Sequence, residues 1–322
     1  MFNLSSLHIY ESISIRQNFD ITPVVFPKEN MNGCLYDSRN IPYAKLSYEN
    51  VMFEGGHGTL HLCTRTDLSG AEETQVIVKK PKTSTYLGSE AILQWIARHT
   101  LKPYKLQNAI PKVHDIFTKD SETRFSMDFI KGDFPYVYLA KTPNPDQFFY
   151  QILTQAAVIL FLLEKDLFLD HRDLKANNLY ISEKPVDYTV DLSGTSYHIK
   201  APFQLVILDF GFACIGGESG ATRVNIGSSV FPMNDPCPKE GRDLFHLVTS
   251  FWSIPSVRER MSAETQKEVG VWLTNQKRDY SKLAQKFKSS EWVYVVTSQP
   301  EFVYPKLSPL AILGRFKTMG II

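Results

Sequence analysis

The period of the apolar residues changes near Gly132, and that change limits what this chain can fold into. Before it, the segments NVMFEGG, TLHLCTR, TQVIVKK and TRFSMDF read as strands, interrupted by one helical segment over about 89–98. Beyond it the pattern predicts helices over 146–165, 243–252 and 263–289, with the short apolar strands LYIS and QLVILDF between the first two. A strand-rich part followed by a helix-rich part predicts an α+β protein of two lobes with a cleft at their junction. With 322 residues and 43% hydrophobic content the chain can bury a substantial core. Residues 1–44 hold short alternating stretches, SISIRQNF and ITPVVF, punctuated by Pro23, Pro27 and Gly33, and read as an irregular, strand-containing extension.

Thirty-five basic against 34 acidic residues leave a formal charge of +1, so no whole-molecule field draws the chain to nucleic acid or to an anionic membrane. Direct nucleic-acid binding is not expected, and partners must be selected by local patches. The cysteines Cys34, Cys63, Cys214 and Cys237 are scattered, which predicts neither a metal site nor a disulfide framework and favours an intracellular setting, cytoplasm or nucleus. The longest apolar run, 156–163, is too short to span a bilayer, and the first residues lack the pattern of a secretory leader. No membrane anchor is expected.

The strongest local signal is Asp170-His-Arg-Asp-Leu-Lys-Ala-Asn-Asn178, followed after an apolar strand by Ile207-Leu-Asp-Phe-Gly211. A short carboxylate such as Asp173 can orient an alcohol and take its proton within hydrogen-bond reach. Asn178 and Asp209 offer hard oxygen atoms suited to a cation such as Mg2+. Any one of these acids alone would be better explained as a capped turn or a surface salt bridge; the ordered cluster reverses that preference. Upstream, Val76-Ile-Val-Lys79 reads as a strand in which alternation sends Lys79 and Lys80 to opposite faces. Glu90 lies at the start of the helix SEAILQWIARH, where an acid is also favoured by the helix dipole alone. Glu54-Gly-Gly-His-Gly-Thr-Leu-His61 would by itself read as a hairpin turn.

The joint pattern resembles the eukaryotic protein kinase superfamily, over roughly residues 48–260. That resemblance implies a bilobal protein-kinase-like fold: a small β-rich lobe with one main helix over 45–131, a larger helical lobe over 132–322 with a long insert at about 182–203, and 1–44 as an extension. It implies transfer of the γ-phosphoryl group of ATP, with Mg2+, to a protein substrate. Asp173 is then the catalytic base, and Lys175, placed near the γ-phosphate, points to serine or threonine acceptors. Lys79 partners the α- and β-phosphates and Glu90 partners Lys79. Gly56, His57 and Gly58 belong to a loop covering the phosphates, with His61 where a third glycine is usual. Met127 takes the gatekeeper position beside the adenine, Asp128, Phe129 and Ile130 form its hinge, and Asn178 and Asp209 hold the metal. Asp243 would brace the catalytic loop through its backbone. Arg172 either pairs with a phosphorylated Thr222, Ser228 or Ser229 or merely braces the loop.

The chain departs from that pattern at several places. Ile77 replaces a small residue of the adenine roof, Tyr180 an aliphatic one of its floor, and Phe231-Pro-Met233 stands where Ala-Pro-Glu is usual. The long segment between Asn178 and Asp209 and the acid at Asp170 are reminiscent of haspin-like kinases. Two alternatives stand beside an active enzyme: a pseudokinase serving as a scaffold or binding module, and a small-molecule kinase akin to the aminoglycoside phosphotransferases.

Overall fold

A computed structural model describes residues 26–37, 39–55, 58–70, 72–82, 87–217, 222, 224–226, 230–232, 234–276, 278–287 and 291–322. The chain divides into two units, residues 1–99 with 111–130, and residues 100–110 with 131–322.

Strand alternation organises the first unit. On β5 (Glu73–Pro81), Val76 and Val78 point inward to a core shared with Leu35, Tyr43, Ala44, Leu46, Cys63 and Phe117. The intervening Ile77 and Lys79 take the opposite face. The other strands are β1 (Lys28–Glu29), β2 (Cys34–Tyr36), β3 (Pro42–Glu54), β4 (Gly58–Asp67), β6 (Val113–Lys119) and β7 (Glu122–Asp128). They run in the order β1-β2-β3-β4-β5-β7-β6 and close into a barrel through a parallel pair in which Lys28 faces Thr118.

This closed seven-stranded mixed barrel overturns the bilobal protein-kinase-like expectation of a small sheet carrying one helix. The cause lies partly in residues 26–44, read as an irregular extension. They supply β1, β2 and the start of β3, and so remove the free edge of the sheet. Thr118 donates its backbone N–H to the Pro27 carbonyl at 2.8 Å. The wholly buried Glu29 carboxylate pairs with Lys119 at 2.9 Å and accepts a hydrogen bond from the Tyr48 hydroxyl. Gly33 turns the chain at φ +79°, where a Cβ would lie 2.2 Å from the Leu46 carbonyl oxygen. The sequence pattern also missed β6, because Asp115 interrupts its apolar alternation; that carboxylate is buried against Arg65 at 2.8 Å and Ser126 at 2.6 Å. Among the described residues of this unit, the helix α1 (Gly88–Thr100) covers the expected segment.

In the second unit, α2 (Pro135–Leu139) is followed by α3 (Pro145–Leu167), which ends where Phe168 turns left-handed at φ 53°. By length and composition α3 could cross a membrane, yet it lies mostly buried within its own unit and serves as a core helix. A small sheet joins β8 (Gly132–Asp133), β10 (Leu179–Ser182) and β13 (Gln204–Ile207), and a second joins β9 (Leu169–Asp170), β14 (Cys214–Ile215) and β15 (Val224–Asn225). The insert near 182–203 is an antiparallel hairpin of β11 (Val186–Leu192) and β12 (Thr195–Ala201). Helices α4 (Arg242–Trp252), α5 (Pro255–Arg258), α6 (Ala263–Trp272), α7 (Tyr280–Lys286), α8 (Glu291–Thr297) and α9 (Pro309–Thr318) complete the unit.

The single helix expected over 263–289 is two. Asp279 caps α7 by accepting from the Ser281 and Lys282 backbone N–H groups, and a bridge between Thr274 and Asp279 turns the chain between the helices. The expectation of no disulfide is also corrected. Cys214 and Cys237 are bonded, because β14 and the loop before α4 bring together residues 23 positions apart. Cys34 and Cys63 are unbonded.

Candidate active site

The first unit fixes an ammonium group. β5 presents Lys79 and the first turn of α1 presents Glu90, and their side chains meet at 2.6 Å, both buried. Burial strengthens such a pair only if it is well satisfied, and this one holds Lys79 Nζ in one place rather than sweeping solvent. Lys80, its neighbour, is more exposed. Gly58 begins β4 beside this strand; a Cβ there would lie 2.8 Å from the Lys80 carbonyl oxygen and 3.6 Å from Lys79 Cε. Gly56 and His57 lie outside the described residues. Met127 on β7 pairs in register with Ile77, and its sulfur accepts from Gln94 Nε2 at 3.6 Å. The Asp128 backbone N–H is committed to the Lys112 carbonyl. Burial opposes ionisation of the Asp128 carboxyl, but hydrogen bonds from His114 and the Lys112 N–H outweigh it and hold the acid below its usual range. Phe129 and Ile130 follow beyond the strand, half-buried.

The second unit assembles the acids. Asp173 Oδ2 accepts from Lys175 Nζ and from Asn178 Nδ2, each at 2.9 Å, and the same Asn178 amide donates to the Asp173 carbonyl at 2.8 Å. Asp173 Oδ1 accepts from the Tyr294 hydroxyl at 2.5 Å. The β10–β13 ladder pairs Leu179 with Ile207, and Leu208 donates its N–H to the Asn178 carbonyl, so Asn178 and Asp209 end neighbouring strands. Asp209 stands at φ 62° and its Oδ1 accepts the Gly211 N–H at 3.2 Å. Phe210, fully buried, packs against the His171 ring.

The loop carrying Asp173 is held from α4. The two oxygens of Asp243 accept the backbone N–H groups of His171 and Arg172, each at 2.7 Å. Gly241 is the N-cap of that helix, and Asp243 lies in its first turn. Burial raises the Asp243 pKa, against the pull of those two hydrogen bonds. Arg172 is wholly buried: it pairs with Asp235 at 2.8 Å, donates to Asn225 Oδ1 and lies over the Phe231 ring. Of the residues weighed as its phosphorylated partners, Thr222 donates to the Asp235 carbonyl, and Ser228 and Ser229 lie outside the described residues.

Asp235 also meets Arg242 and Lys239, at 2.6 Å each, and Arg242 reaches Asp170 at 2.9 Å. Just beyond Phe231-Pro-Met233, Asp235 thus supplies a buried carboxylate to both Arg172 and Arg242. Burial pushes Asp170 up to about 6 despite Arg242, and burial together with Arg242 brings Arg172 down to about 10. Burial also lowers His171, and takes His246, beside the Arg172 carbonyl, down to about 4. Tyr180 donates to the Gly132 carbonyl at 2.6 Å and sets its ring edge-on to Phe134.

Asp235 and Tyr294 are site residues that motif reading missed. The only sequence signal for Asp235 is an acid four residues past Phe231, and for Tyr294 there is none. Among the described residues, one group of potential metal-ligating atoms is Asp170, Cys214 and Cys237, whose two sulfurs are bonded to each other. No protein-family model matches this chain, and no curated protein matches it either.

Proposed function

We propose that this chain transfers the γ-phosphoryl group of ATP to serine or threonine hydroxyls of a protein substrate. The observation that carries the reading is the Asp173 carboxylate, oriented by Lys175 and Asn178 on a loop whose backbone is gripped by both oxygens of Asp243. A carboxylate so held can align an incoming hydroxyl and accept its proton without reorganising. Lys175 Nζ adds positive charge 2.9 Å from Asp173, where negative charge develops during transfer. Lys79, fixed by Glu90, is the cation for the ATP phosphate oxygens.

The donor set fits Mg2+. The Asn178 amide nitrogen is directed at Asp173, which leaves Oδ1 as that side chain's oxygen for a cation, and Asp209 contributes carboxylate oxygens from the next strand end. Mg2+ held there would neutralise charge on the phosphoryl oxygens.

Purified protein incubated with labelled ATP, Mg2+ and a mixture of histones and basic proteins should label serine or threonine, and Asp209→Ala should lower the rate by about a hundredfold or more. Phosphate appearing on a polyol faster than on any protein supports the small-molecule alternative. No transfer by folded wild type sinks the enzymatic reading and leaves a scaffold.

A further inference from the structure

A base for an acceptor hydroxyl must present an oxygen to that hydroxyl within hydrogen-bond distance. In the second unit, Asp173 uses Oδ2 for Lys175 and Asn178, which leaves Oδ1 for an incoming group. Oδ1 receives the hydroxyl of Tyr294 at 2.5 Å, and Lys175 Nζ reaches the same phenol oxygen at 3.4 Å. The phenol therefore makes, toward the base and its neighbouring lysine, the contacts that a substrate alcohol would have to make.

The ring is seated as specifically as its hydroxyl. Phe212, three residues after Asp209, meets it edge-on at 5.8 Å; Phe231 does so at 6.1 Å and His246 of α4 at 5.1 Å. Three aromatic walls around one ring, with a carboxylate and an ammonium at its tip, describe a small subsite with an apolar body and a polar end. His246 stays neutral there, since burial takes it down to about 4, so the wall adds no charge to the ring's surroundings. The helix that brings Tyr294 in is α8, on which the next residue, Val295, is exposed to solvent (64%).

We propose that Asp173 Oδ1, Lys175 Nζ and the rings of Phe212, Phe231 and His246 form the acceptor-hydroxyl subsite, and that Tyr294 is its resident occupant, competing with the hydroxyl of the protein substrate. This rests on the phosphotransferase reading above. A substrate alcohol reaches Asp173 only when α8 withdraws the phenol, so the apparent acceptor KM contains the cost of that withdrawal. ATP recognition by Lys79 does not contain it.

The test uses the full chain. Tyr294→Phe keeps the ring and its packing and removes the hydroxyl that holds Asp173; Tyr294→Ala empties the subsite. Both should raise kcat/KM for a histone acceptor by about tenfold, as expected when one hydrogen bond to a charged group is lost, through a lower acceptor KM with the ATP KM unchanged. Adding 4-methylphenol should inhibit Tyr294→Ala competitively with the histone and leave wild type unaffected. If wild type transfers phosphate and both variants are no faster, or if 4-methylphenol is not competitive with the histone, the occupant assignment is overturned while the phosphotransferase reading stands. If no folded version transfers phosphate, both fall.

Discussion

Asp243 concentrates the largest consequence in one side chain. Its two oxygens satisfy two buried N–H groups of the loop that carries Asp173, so Asp243→Ala orphans both. Each orphaned donor costs roughly 1–3 kcal/mol. Urea denaturation should show a loss of about 2–6 kcal/mol, and transfer activity should fall further than folding alone explains, because the base loses its alignment. The resemblance drawn from the motifs implied Asp243 as a brace, the pairing of Lys79 with Glu90 and the grouping of Asp173, Lys175 and Asn178, and those groups do lie within hydrogen-bond distance. Asp243 meets Arg172 across 71 positions, and only its place in that resemblance marked it. Asp235 and Tyr294 were not legible, since Asp235 meets Arg172 across 63 positions and Tyr294 meets Asp173 across 121. Ordinary residues at such separations leave no local pattern.

Elements repeat this division between local and distant causes. α1 and α3 carry their own apolar faces and appear close to where periodicity puts them. β1 and β2 are two and three residues long and owe their existence to partners, which is why residues 26–36 read as irregular. Closure of the barrel depends on Glu29, buried between Lys119 and Tyr48. Glu29→Ala strands the Lys119 ammonium and the Tyr48 hydroxyl beside an empty space. The expected loss is about 3–5 kcal/mol in chemical denaturation, with the largest gain in hydrogen exchange along β1, β6 and β2. An equal loss of protection in β5 and β7 would argue against a closure-specific role. The break between α6 and α7 was hidden for a similar reason: the helical pattern continues across it, and only the Asp279 cap and the Thr274 bridge mark the turn.

Over the whole molecule, buried titratable groups oppose one another as pH changes. His246 is held near 4 against 6.5 in an unfolded chain, so the unfolded state binds more protons between those values; the stability contributed by the neutral ring is complete above pH 6.5 and is lost as pH falls through about 4. Burial dominates that shift, with Asp173 and the Arg172 carbonyl opposing it and Lys175 and His171 adding to it. Asp170, raised from 3.8 to about 6, has the opposite sign: its ionised form costs stability above pH 6, and that cost is relieved on acidification. The two partly cancel. The stability advantage of wild type over His246→Asn should therefore shrink by about 3 kcal/mol between pH 7 and pH 4, read from urea titrations at each pH. An advantage constant across that range would mean that His246 titrates alike in both states. A different consequence follows from the bond between Cys214 and Cys237, which makes the stretch between them a ring in the covalent sense. A peptide-bond cut inside it adds the mass of a water and releases nothing: Asp209 and Asp243, now on different pieces, travel as one molecule until a thiol is added.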